Sequence, residues 1–183
     1  MADKLKLFQE KMDIPDGIEL KIDKNIISVK GSKGELNRKF ICPGLEIISN
    51  GKQIVMSCKR MKKKEKTIIG TFKSHIRNMF RGVNELYVYK LKICSSHFPM
   101  TISANNGKFV VKNFFGEKIP RKLKIKDGVT IKIEGEIITI ESLDKELAGQ
   151  VAADIEILTR RSDYDRRIFQ DGIYIIDKAG KRA

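Results

Sequence analysis

Cysteine is scarce in this chain of 183 residues. Only Cys42, Cys58 and Cys94 are present, an odd number, and no two stand at the spacing of a zinc knuckle or redox pair. Histidine is scarcer still, and His75 and His97 complete no Cys/His cluster. This pattern argues against a disulfide scaffold and a structural zinc, and it fits a reducing compartment. No apolar run approaches the roughly 18 residues of a membrane-crossing helix. The start of the sequence has no apolar core of the signal-peptide kind. Neither export nor membrane association is therefore expected. Clustered acids are lacking too. Asp163 and Asp165 flank Tyr164 among arginines, a setting that favours ion pairs over a metal site. His75 falls at helical spacing beside Phe72 and Met79, with no nucleophile to serve as its partner. A metal-dependent nuclease or phosphotransferase has no support, and neither an enzyme nor a cofactor is expected.

Positive charge is abundant. Lys and Arg number 37 against 23 Asp and Glu, a net charge of +14. Such an excess attracts polyanions. Apolar residues make up 41% of the chain, enough for a packed core. The most informative stretch is RRSDYDRRIFQDGIYI, residues 160–175, in which four arginines bracket two aspartates and a tyrosine. Arg160, Arg161, Arg166 and Arg167 supply planar forks for phosphate. Phe169 and Tyr174 supply stacking faces, Gln170 a polar contact, and Gly172 room for close backbone approach. The stretch has no helical period. It is expected to lie extended on nucleic acid, at little cost to the core.

The chain repeats itself. Two amphipathic helices are expected, over residues 66–82 and 144–159. In the first, Ile68, Ile69, Phe72, Ile76, Met79 and Phe80 share a face. In the second, Leu147, Ala148, Val151, Ala152, Ile155 and Leu158 do so, with Ser142 or Asp144 as the cap. Lys66, Gly70 and Ile76 match Lys145, Gly149 and Ile155 at an offset of 79. A hairpin pattern precedes each helix, at residues 44–58 and 128–141. Further upstream, residues 15–35 resemble residues 99–117. There Val29, Lys30, Gly34 and Glu35 match Val111, Lys112, Gly116 and Glu117 at an offset of 82. The order hairpin, Gly-Glu loop, strand, hairpin, helix thus occurs twice. The expected fold is α+β: two tandem duplicated domains, residues 1–83 and 84–183, each a mostly antiparallel sheet with one covering helix. Tyr87–Cys94 alternates as a half-buried strand and opens the second domain.

Smaller motifs extend the basic inventory. KRMKKKEK, residues 59–66, has six basic residues in eight. Arg60, Lys62, Lys63 and Lys64 are read there as phosphate contacts, in preference to a solvated loop, with a nuclear import signal as the other functional reading. Their position at a helix start opposes the dipole, so an external anion gives them a purpose. KGSKGEL, residues 30–36, lacks the P-loop spacing. It reads as a turn in which Gly31 and Gly34 take positive φ and Lys30 and Lys33 are exposed. Phe109, Phe114 and Phe115 read as core. His97, at a turn before Phe98-Pro99, is a candidate RNA contact or a structural hydrogen-bonding group.

The strings VKGSKGEL (29–36), SHIRNMFRGV (74–83), YKLKICSSHFP (89–99), VVKNFFGEK (110–118) and DRRIFQDGIYI (165–175) occur in order over nearly the whole chain. Together they resemble the universal large-subunit ribosomal protein six family in its archaeal and eukaryotic form. The chain departs from that pattern at Ser32, where a proline commonly stands, and at residues 84–88. The resemblance implies a duplicated two-domain protein without catalysis. It implies binding to large-subunit ribosomal RNA near the sarcin–ricin loop and the base of the factor-binding stalk. Neighbouring ribosomal proteins of that region would be partners, and no independent homo-oligomer is implied. The setting would be the cytoplasmic ribosome, with nucleolar assembly in a eukaryote. Carried over, Arg160, Arg161, Arg166, Arg167 and the 169–174 segment lead the RNA contacts, followed by the loop around Lys118, Arg121 and Lys122. The rival reading is a free RNA-binding regulator outside the ribosome.

Overall fold

The computed structural model describes residues 8–58, 63–96, 98–165 and 167–182. Arg60, Lys62, His97 and Arg166 lie outside these residues. The chain divides into two compact units between Glu85 and Leu86. Among the described residues no helix is long and apolar enough to cross a membrane.

The first unit runs β1 (Phe8–Asp13), β2 (Glu19–Asp23), β3 (Ile26–Lys30), β4 (Glu35–Lys39), β5 (Leu45–Ser49), β6 (Gln53–Cys58) and α1 (Lys63–Asn84). Its antiparallel strands form two sheets, ordered β1-β6-β5 and β2-β3-β4. The central strands carry the apolar alternation. Ile27 and Val29 of β3, and Ile54, Met56 and Cys58 of β6, are buried, while their neighbours are not. Ile69, Ile76, Met79, Phe80 and Val83 of α1 complete this core. The helix begins earlier than its apolar period, because the exposed Lys63 and Lys64 form its first turn.

One glycine differs from the sequence expectation. Gly34 takes positive φ (154°), but Gly31 does not. A Cβ on Gly31 would lie 2.7 Å from Val83 Cγ2 and 2.9 Å from the Val83 carbonyl oxygen. Gly31 therefore admits the end of α1, where the Lys33 N–H donates to the Val83 carbonyl at 2.9 Å. Lys30 and Lys33 remain exposed on either side.

The second unit repeats the plan with β7 (Tyr87–Cys94), β8 (Thr101–Asn105), β9 (Lys108–Lys112), β10 (Arg121–Lys124), β11 (Val129–Glu134), β12 (Ile137–Ser142) and α2 (Lys145–Leu158). A 3₁₀ turn, Phe114–Gly116, precedes β10. β9 shows the same burial pattern as β3, and β12 the same as β6. Asp144 caps α2, its carboxylate accepting from the Glu146 N–H at 2.9 Å. α2 packs on β7, β10, β12 and a further strand, β13 (Gly172–Lys178).

β13 corrects the sequence reading. Residues 172–175 do not lie free for a partner; they pair antiparallel with β7 and complete a four-stranded sheet ordered β11-β12-β7-β13. Ile173 is fully buried there. The short run after Gly172 shows no helical period, because it is a strand. β7 pairs on both sides, whereas its counterpart β1 forms a sheet edge.

Candidate nucleic-acid interface

The basic segment leaves the core at the end of α2 and returns at β13. Thr159 is buried and holds both ends of this loop. Its hydroxyl donates to the Glu156 carbonyl (3.2 Å) and accepts from the Ile173 N–H (2.9 Å). Asp171, also buried, accepts from the Ser96 N–H at 2.6 Å. Residues 160–165 and 167–170 therefore form a surface loop with fixed roots.

The arginines, alike in sequence, have separate tasks. Arg121 points inward from β10. It donates to both Glu117 carboxylate oxygens (2.8 and 2.7 Å) and to the Leu158 carbonyl (2.7 Å). Its guanidinium lies 4.4 Å from the Phe114 ring centroid. Arg161 lies 4.3 Å from the Tyr164 ring centroid and 3.8 Å from Glu117. Arg121 thus serves as a structural clamp between Glu117, the end of α2 and the Phe114 ring. Arg160 and Arg167 face solvent, the Arg167 side chain being 90% exposed. Asp165 orients Arg167, accepting from its backbone N–H (2.9 Å) and from guanidinium Nη2 (2.7 Å). The Arg167 guanidinium, aided by that N–H, holds the Asp165 carboxyl below its ordinary range. Lys118 and Lys122 are exposed beside Glu117 and Arg121.

Glu117 is the electrostatic centre of the loop's root. Hydrogen bonds from Arg121 hold its carboxyl below the ordinary value of 4.5; partial burial opposes them, and the charges of Arg121 and Arg161 add to them. A folded-state pKa below the unfolded value stabilises the fold above the unfolded pKa. That contribution is lost as pH falls through the folded pKa. Thermal unfolding between about pH 5 and pH 3 should therefore be less acid-sensitive in Glu117→Gln than in the parent chain. Equal sensitivity would show that Glu117 is not a coupled proton site.

Three aromatic rings meet over this root. Phe115 stacks on Tyr164 (centroids 5.5 Å apart, planes 18° apart), and Phe169 meets Tyr164 edge to face at 5.0 Å. Phe114 is buried, as expected. Phe115 is half-buried: it takes a left-handed backbone (φ 49°), packs against the core and Phe114, and stacks on Tyr164 of the loop. Beside these rings opens a cavity of about 280 Å³, bordered also by Glu156, Arg160 and Tyr174. Gly172 is buried, and a Cβ there would meet the Tyr174 ring at 3.1 Å. Its place among the RNA contacts is corrected: it seats Tyr174. Gln170 is exposed, its side-chain amide N–H donating to the Arg167 carbonyl at 3.4 Å.

Sequence reasoning missed Phe115, Tyr164 and Glu156 as site residues, since their partners lie far along the chain. It also missed a cleft in the first unit, about 470 Å³, bordered by Lys11, Lys73, Arg77 and Arg81. The four-residue spacing of the last three along α1 was the available signal. There Lys73 pairs with Glu10, and Arg81 lies 3.9 Å from Glu85. Among the described residues no group of three or more His, Cys, Asp or Glu is placed to hold a metal ion.

Comparison with known proteins follows the two repeats. Residues 14–86 and 98–172 match the family model described as Ribosomal protein L6. The chain is similar to the large ribosomal subunit protein uL6 of Methanococcus vannielii, 40% identical over 175 residues that make up 96% of each chain. It is likewise similar to the protein of that name from Methanobrevibacter smithii, 40% identical over 170 residues, 93% of this chain and 96% of the other.

Proposed function

The chain belongs to the ribosomal protein L6 family, and from that premise we propose that it is a structural constituent of the large ribosomal subunit. It binds the ribosomal RNA near the sarcin–ricin loop and the base of the factor-binding stalk. It is no enzyme, and its part in translation is to stabilise the RNA surface on which factors act. The observation that carries this reading is the root-fixed loop with Arg160 and Arg167 turned outward, flanked by Lys118 and Lys122. Cations on a rigid frame suit folded RNA, whose deep groove hides its bases and leaves phosphates to be read. Lys63 and Lys64 at the start of α1, and Lys30 and Lys33, form a secondary set of cations on the first unit.

Neighbouring ribosomal proteins of the factor-binding region are the other partners, and the chain forms no homo-oligomer of its own. Its place is the cytoplasmic ribosome, with assembly in the nucleolus where the cell has a nucleus. Sucrose-gradient sedimentation tests the reading. The chain should migrate with the large subunit and remain there after a high-salt wash. Accumulation at the top of the gradient at moderate salt would favour the free RNA-binding regulator instead.

A further inference from the structure

We propose that the cavity at the end of α2 receives one unstacked RNA base, whose exocyclic amino or ring imino group donates to Glu156. The inference rests on the RNA-binding reading above and specifies its chemistry at one point. Three observations carry it.

The first is the aromatic exposure. Tyr164 and Phe169 touch each other and Phe115, yet remain 39% and 43% exposed. The neighbouring Phe114 is 1% exposed, so the same stretch of chain can bury a ring and does. Exposed aromatic surface beside surface cations is the combination that binds unstacked bases. The second is backbone strain. A left-handed φ on a bulky aromatic residue is an outlier that the surrounding structure must hold in place. At Phe115 it sets two consecutive rings edge to face, centroids 4.8 Å apart, with Phe114 buried in the core and the half-buried Phe115 bordering the cavity.

The third is the charge arrangement. Glu156 borders the cavity, while Arg160 stands at its edge and Arg167 lies further out on the loop. Glu156 and the buried Asp171 put two acids on the border, a charge that disfavours a phosphate inside, whereas a base presents N–H donors that a carboxylate accepts. The backbone of the same nucleotide then falls to the guanidinium groups outside. A lysine or arginine from a protein neighbour suits the cavity less well. Arg161 already occupies the cation position, 4.3 Å from the Tyr164 centroid and 5.5 Å from that of Phe115.

Ultraviolet cross-linking of intact large subunits, followed by mass spectrometry of nuclease-trimmed peptides, tests this directly. A single-nucleotide adduct is expected on Phe115, Tyr164 or Phe169. Tyr164→Leu and Phe169→Leu keep apolar bulk but remove a stacking face. In subunits that still contain the chain, each should lower the adduct yield roughly tenfold. The parent-chain map needs no variant, so a misfolded variant does not obscure the result. Subunits that contain the chain but carry adducts only on residues outside the cavity would overturn the base site while leaving the ribosomal reading intact. A cross-link from these rings to a protein neighbour would do the same. Absence of the chain from the subunits would overturn both.

Discussion

Replacing Arg160 and Arg167 together with alanine should loosen the chain from the large subunit without changing its melting temperature. Both side chains face solvent, and among the described residues the Arg167 guanidinium is held by Asp165 on its own loop. Their removal leaves the core untouched, and surface changes of this kind shift stability by about 0.5 kcal/mol or less. Binding is another matter. Each phosphate contact contributes about 0.7–0.9 to the slope of log K against log salt. Losing two should reduce that slope by about 1.4–1.8 and release the chain during a high-salt wash. Salt-dependent dissociation from purified subunits measures it. The paired change of Lys63 and Lys64 to alanine should have the smaller effect. Equal effects would move the principal contact to the start of α1.

Arg121→Ala should behave in the opposite way, with a large loss of stability. This one guanidinium bonds both oxygens of Glu117 and the carbonyl of Leu158, and it lies against Phe114. The side chain is 24% exposed, so solvent screens the pair in part. Truncation leaves Glu117 half-buried without its fork and the last turn of α2 without a capping donor. The cost should be about 2–3 kcal/mol. For a unit of this size, that is a fall in the melting transition of roughly 10–15 °C. Calorimetry should show the loss, and Arg121→Lys should recover only part of it, because an ammonium cannot supply two parallel bonds. A parent-like melting curve for Arg121→Ala would remove the clamp from this account. Together the two experiments separate arginines that hold the protein from arginines that hold its partner.

Local regularities carried much of the fold into view. The period-2 alternation of IISVK and KFVVK, and the helical spacing of Ile69, Ile76 and Phe80, report burial one element at a time. Their recurrence at offsets of 79 and 82 exposes the duplication, because each repeat must bury a similar face. The opening strand β1 was hidden, since FQEKMD is too charged to alternate clearly. The division of each unit into two sheets was hidden as well, because pairing such as β1 with β6 joins residues 40 to 50 positions apart.

By itself, then, the chain's order of residues determined the element types, the two repeats, the basic character and the stretch that carries the loop. Tertiary structure alone decided which arginines are spent inside and which face a partner, and whether a glycine serves a turn or a neighbouring ring. The physical reason is that a guanidinium's task depends on its acceptors, and these are set by folding. Leu158 lies 37 positions from Arg121, and Ser96 lies 75 from Asp171. No local period records such distances; the packing of α2 on β10 brings the first pair together, and the closing of β13 onto β7 the second.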